Sequence, residues 1–155
     1  MTFEELCLVP VGFVKTSAVG KEVNDRNVVS QIVLDDQYLE AVDGVEEFSH
    51  LFVLFWFNQL SEQDPKPRKV HPCGRSDMPL VGVFATRAPI RPNPIGLTVV
   101  KLLKKQGTTL TVQGLDAFDG TPVLDIKPFD TADSLEDFKV ADWWIKIKQE
   151  QTKNR

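Results

Sequence analysis

GLTVVKLLKKQGTTLTVQGLDAF, residues 96–118, holds two runs of alternating apolar and polar side chains on either side of the pair Gln106-Gly107. In an extended chain successive side chains point to opposite faces, so alternation of this kind marks strands with one buried face. A glycine-containing pair between two such runs predicts an antiparallel hairpin, with strands over 96–104 and 109–118. Downstream, Asp119-Gly120 turns the chain again, and 122–127 reads as another strand. Upstream, 81–86 reads as a short strand and the aromatic run at 49–57 as a fully buried one. The β-branched stretches 28–34 and 8–14 add two more, separated by the polar loop GKEVNDRN at 20–27. Residues 36–42 read as a helical turn closed by Asp43-Gly44, and Ser134 as the cap of a short helix starting at Leu135. Many short strands, tight turns and little helix predict a mainly β fold: a single antiparallel sheet closed into a barrel, with short helical segments. The 155 residues are the length of one domain, which buries roughly 70% of its extended-chain surface. The barrel core is expected over about 8–130, with a C-terminal extension at 131–155.

Composition narrows the chemistry. Cys7 and Cys73 lie far apart in unlike contexts and read as free thiols of a reduced cytoplasm. The start, MTFEELCLVP, has neither a basic region nor a long apolar run, and LFVLFWF is too short to span a bilayer. The expectation is a cytoplasmic protein with no membrane partner. Neither GxGxxG nor a Walker loop occurs, no serine sits in a nucleophile elbow, and His50 and His71 have no companion at a zinc-ligand spacing. No metal is expected, and His50, inside an apolar run, reads as structural. The net charge of −4 conceals an asymmetry. Residues 66–105 carry nine Lys or Arg and one acid, Asp77, whereas the remainder carries −12. Such segregation suits a face for a polyanion such as nucleic acid.

Within that basic span lies FATRAPIRPNPIG, 84–96, with three prolines. Each proline removes an N–H, fixes φ and restricts the residue before it, so Arg87, Arg91 and Asn93 are carried on a stiff, non-repeating loop. The preceding segment, 61–79, has four prolines and reads as an irregular, mobile connection.

Three stretches, FSHLFVLFWFNQ (48–59), GVFATRAPIRPNPIGLTVVKLL (82–103) and GLDAFDGTPVLDIKP (114–128), closely resemble the TsaA-like family, whose characterised members are called TrmO. The resemblance runs from about Val11 to Asp130. It implies a single-sheet barrel acting as a homodimer, with S-adenosylmethionine as methyl donor. The implied reaction is N6-methylation of threonylcarbamoyl-adenosine beside the tRNA anticodon. Two departures accompany it. Longer members carry a C-terminal domain, so this chain reads as a short form. Where many members have a proline-arginine-glutamine stretch at the donor, VNDRN (23–27) retains only Arg26.

The resemblance, with side-chain chemistry, assigns candidate roles. Arg87 suits a donor carboxylate or a phosphate, because a guanidinium pairs bidentately. Arg91, with Lys66, Arg68 and Lys69, is a candidate for the RNA backbone. Asn93, between Pro92 and Pro94, either holds an adenine amine, by analogy with Asn-Pro elements of other adenine N-methyltransferases, or stitches its own loop. Asn58 and Gln59 match a polar pair facing the donor, and Leu97 a position whose backbone touches it. Asp116 suits a ribose hydroxyl, while Asp119 is a candidate catalytic carboxylate as well as a turn residue. Two other readings stay open: a module that binds the donor without methylating RNA, and a methyltransferase with a small-molecule acceptor.

Overall fold

The computed structural model describes residues 6–60 and 65–153. Six strands close a barrel in the order β1-β2-β7-β6-β3-β8, every neighbouring pair antiparallel. They are β1 (Gly12–Lys15), β2 (Val29–Leu34), β3 (His50–Trp56), β6 (Ile95–Gln106), β7 (Thr109–Gln113) and β8 (Pro122–Pro128). Two short strands, β4 (Lys69–Val70) and β5 (Val81–Gly82), pair outside the barrel, and one α-helix, α1 (Asp142–Lys153), follows it. The mainly β barrel expected from the sequence is the fold observed.

Period-two alternation fills the interior. Leu51, Val53 and Phe55 of β3, Val100 of β6, Leu110 and Val112 of β7 and Val123 of β8 are each 0–1% exposed. Closure leaves no free sheet edge along the wall, so each strand has one inner and one outer face. That corrects the reading of 49–57 as buried on both faces: Phe52, Leu54 and Trp56 point outward and are half-buried. The hairpin at 96–118 is present, but its strands differ from expectation. β6 is longer, Ile95–Gln106, and β7 ends at Gln113 because Gly114 turns away at φ 88°.

Other boundaries also move. The stretch 81–86 is not one strand: after β5 the chain tightens into a 3-10 turn, Val83–Ala85. The stretch 8–14 yields only β1, where Gly12 is required because a Cβ would strike the backbone at Val33 and Leu34. Residues 36–42 form two 3-10 turns and end at Gly44, φ 83°. Ser134 does not open a helix; it closes a 3-10 turn, Thr131–Asp133, and α1 begins only at Asp142. Residues 61–64 of the connection lie outside the described part, but the rest is organised rather than irregular. Lys69 and Val70 pair with Gly82 and Val81, and Val83 N–H donates to Arg68 C=O at 3.0 Å. Cys7 and Cys73 are both free and exposed. No helix of the described residues is long and apolar enough to cross a membrane.

Topology places the long connections together. Strands β1, β3 and β7 end, and β2, β6 and β8 begin, at one mouth of the barrel, so the connections 16–28, 57–94 and 114–121 all open there. Residues far apart in sequence meet at that mouth.

Candidate functional site

The mouth holds a two-lobed cleft, about 550 Å³ in one lobe and about 320 Å³ in the other. Phe55, Phe57, Arg87 and Asp116 line both lobes. A bulge shapes its floor: Leu54 pairs with Asp125 but Phe55 with Val123, a slip that re-aims the Phe55 side chain. Phe55 lies opposite Gly96 in the β3–β6 ladder, and a Cβ on Gly96 would collide with its ring. Phe57 stacks edge-on, ring centroids 5.3 Å apart at 76°, and its N–H donates to Pro94 C=O at 2.8 Å.

The proline loop forms one wall and is laced from within. Thr86 Oγ1 donates to Val83 C=O at 2.8 Å and accepts from Ala88 N–H at 3.3 Å. Arg91 Nη1 donates to the carbonyls of Thr86 and Ala88 at 3.3 and 3.4 Å. Arg91 thus braces the loop, a role not foreseen from its charge. Ile95 N–H donates to Asn93 C=O at 2.7 Å, which fixes the backbone on both sides of Pro94. Arg87 is exposed, and among the described residues nothing accepts a hydrogen bond from it.

Opposite, Asp116 Oδ1 accepts a short hydrogen bond from Thr98 Oγ1, Thr98 being 4% exposed. One carboxylate oxygen is thereby anchored while the other remains an acceptor beside the cleft. Arg26 reaches across the mouth, its Nη1 donating to Gly114 C=O at 3.1 Å, and Gly114 at φ 88° lets the two backbones approach. Among the described residues no group of three or more His, Cys, Asp or Glu is arranged to hold a metal.

The structure brings most of the sequence candidates together. Arg26, Arg87, Arg91, Asn93, Leu97 and Asp116 line the larger lobe, and Asn58 and Gln59 join Arg87 and Asp116 in the smaller. Asp119 is at the same mouth but lines neither lobe; its Oδ1 accepts from Thr16 N–H at 3.0 Å, which ties the β7–β8 turn to the end of β1. Lys66, Arg68 and Lys69 are exposed and line neither lobe. His50 has a structural setting, its Nδ1 2.9 Å from Ser49 Oγ and its ring edge-on to Phe129. Sequence reasoning missed Phe55, Phe57 and Thr98. The available signal for Thr98 was a polar residue at an inward position of β6, between Gly96 and Val100.

Comparison with known proteins places this cleft in context. Residues 16–134 match the tRNA-methyltransferase O N-terminal domain family. A Methanothermobacter thermautotrophicus protein named "Probable S-adenosyl-L-methionine-binding protein" is 44% identical over 141 residues, covering 87% of this chain and 98% of that protein. An Archaeoglobus fulgidus S-adenosyl-L-methionine-binding protein is 39% identical over 131 residues, 80% of this chain and 89% of the relative. The crystal structure of TrmO from Pseudomonas aeruginosa superposes with a TM-score of 0.72 at 31% identity, covering 91% of this chain. The chain spans 62% of the length of that TrmO chain.

Proposed function

The chain belongs to the tRNA-methyltransferase O N-terminal domain family, and from that premise we propose that it is an S-adenosylmethionine-dependent methyltransferase acting on threonylcarbamoyl-adenosine of tRNA. The single observation that carries this reading is the joint lining of both lobes by Arg87, Asp116, Phe55 and Phe57. These groups fit the donor's parts: a guanidinium for a carboxylate, a carboxylate acceptor for ribose hydroxyls and aromatic faces for a purine. When bound, the donor would supply an electrophilic methyl group on sulfur for the adenine N6, with the displaced N6 proton passing to solvent.

The chain's own part is positioning and exclusion of water, because an in-line displacement needs aligned partners more than a covalent helper. Arg87 and Asp116 hold the two ends of the donor. Asn93, with backbone fixed on both sides of Pro94, presents its amide to the acceptor base. Arg26, Asn58, Gln59 and the Leu97 backbone complete the walls. Asp119 accepts from Thr16 N–H through Oδ1 and orders the turn at the same mouth. Arg91 braces the loop that carries Arg87 through Nη1, which donates to the Thr86 and Ala88 carbonyls.

The protein works as a homodimer in the cytoplasm, where its tRNA substrate is found. Supporting the dimer, Ile95, Leu97 and Val99 stand outward on β6 opposite Trp56, Leu54 and Phe52 of β3, an apolar sheet face. Ile95, Leu97 and Val99 also line the cleft, so a second copy on this face would complete the donor site.

Mass spectrometry of tRNA nucleosides from cells with and without the gene tests the reaction. The expected result is loss of the N6-methylated nucleoside, restored by the wild-type gene but not by Arg87→Ala. Relatives named only for donor binding favour a second reading, a binding module. Unchanged nucleosides alongside tight donor binding would select it.

A further inference from the structure

Behind the proline loop, on the side away from the donor cleft, lies a second cavity of about 600 Å³. Its walls come from three separate parts of the chain: the connection (Pro67, Val70, His71), the back of the loop (Arg87, Pro89) and α1 (Trp143, Trp144). We propose that this cavity receives an unstacked nucleobase of the RNA strand, next to the nucleoside being methylated. The inference rests on the RNA reading above and names a second subsite for that substrate.

The walls are flat, apolar and held rigid. Trp143 and Trp144 stand at 88° to one another with centroids 5.9 Å apart, and Lys148 Nζ lies 5.0 Å from the Trp144 ring centre. Arg75 straps α1 in place: its guanidinium pairs with Asp77 at 2.6 Å and with Glu150 by a shorter contact. Aromatic and proline faces suit any base, because every base offers a π-face. His71 adds a directional group. Its Nδ1 lies 2.8 Å from Met78 C=O, an acceptor, so Nδ1 donates there and Nε2 is the ring's second polar atom.

Charge favours a nucleic acid over an apolar peptide as occupant. Among the described residues no acidic one lines the cavity. Lys66, Arg68 and Lys69 are exposed and interleave with Pro67 and Val70 of the wall, so cations for phosphates border a slot for a base. Arg87 lines this cavity and both lobes of the donor cleft. The donor cleft and this cavity therefore share a wall at Arg87, so consecutive nucleotides splayed apart fit to either side of the loop.

The test uses the full chain and a synthetic anticodon stem-loop RNA, intact or with an abasic site at each loop position in turn, read by fluorescence anisotropy. Wild type is expected to lose about tenfold in affinity at one abasic position beside the methylated nucleoside, the scale of base–aromatic stacking. Trp143→Ala should lose about tenfold on intact RNA and be indifferent to that abasic site, whereas Trp143→Phe keeps most of the affinity. Donor affinity and the salt dependence of RNA binding should not change, since no cation is removed. Equal losses by Trp143→Ala on intact and abasic RNA would reduce the indoles to packing for α1 and overturn the proposal. A shift in oligomer mass on light scattering would overturn it too, assigning the cavity to a second copy. RNA binding insensitive to every abasic site sinks this subsite alone; no RNA binding by wild type sinks the RNA reading with it.

Discussion

Arg87 is exposed, and among the described residues it has no acceptor, yet it lines the cleft from both lobes. A guanidinium without an internal partner is free to pair with a donor carboxylate, and such charge-assisted pairs are the stronger hydrogen bonds. Arg87→Ala is expected to weaken S-adenosylmethionine binding at least about tenfold by calorimetry, equivalent to about 1.4 kcal/mol. Arg87→Lys should not restore it, because an ammonium lacks the bidentate fork; full affinity in either variant would remove Arg87 from the donor site. Gly96 is a second single-residue test. Its missing side chain is the space the Phe55 ring occupies. Gly96→Ala should cost about 1–3 kcal/mol in urea unfolding, through overpacking, and lower donor affinity as the ring is driven into the cleft. The sequence shows a glycine opening a strand here but not its reason, which is a ring from β3.

Among the elements, α1 is held against the connection by ion pairs across a long sequence separation. Arg75 joins it to the connection through Glu150 and Asp77, and Lys146 lies 3.8 Å from Asp77. Hydrogen bonding to Arg75 holds both carboxyls below their ordinary values of 3.8 for Asp77 and 4.5 for Glu150, and it raises the guanidinium in turn. A carboxyl whose folded value is lowered stabilises the fold above its unfolded value and loses that contribution as pH falls through the folded one. The strap is therefore at full strength above about pH 4.5 and fades below it. Protection factors of the α1 amides, corrected for intrinsic exchange, should fall below that pH while those of the barrel strands hold, and Arg75→Met should lower α1 protection at neutral pH. Exchange in α1 unchanged by the variant would show that burial of Ile147 alone holds the helix. Nothing in the α1 sequence announces this strap, since the amphipathic pattern names a buried face but no partner.

For the whole molecule, the basic middle of the chain divides in the fold. Lys105 pairs with Asp43 and Glu46 at the end opposite the cleft, whereas Lys66, Arg68 and Lys69 stand near Arg87 through the walls of the second cavity. The pairing of β4 with β5 draws the connection against the proline loop. Replacing Lys66, Arg68 and Lys69 with glutamate is expected to abolish tRNA binding at physiological salt. A milder set of alanine replacements should lower the slope of log affinity against log salt by about two to three, as fewer counterions are released. Donor affinity measured on the same variants should stay within about threefold, since neither cleft lobe includes these side chains. Salt-insensitive tRNA binding by wild type would direct attention to a small-molecule acceptor. Light scattering should report twice the chain mass at micromolar concentration, and Leu97→Asp, placed on the outward apolar face, should shift it to the monomer.

The strands, their inward faces and the stiff arginine loop were legible from sequence because their causes are local. Alternation is written within five to seven residues, and a proline restricts only itself and its predecessor. Leu110 and Val112 declare their side of a sheet without reference to any partner, whereas the unbroken apolar run at 49–57 does not show which of its residues face inward. What has no local signature is which strand lies beside which: β2 next to β7 and β3 between β6 and β8 are long-range pairings. Only that order brings the connections 16–28, 57–94 and 114–121 to one mouth, where Arg26 meets Gly114, Thr98 meets Asp116 and Phe55 fills the space above Gly96. The residues of the cleft could be chosen from their chemistry, but closure of the barrel decided that Asp119 faces Thr16 and that Arg87 lines three cavities.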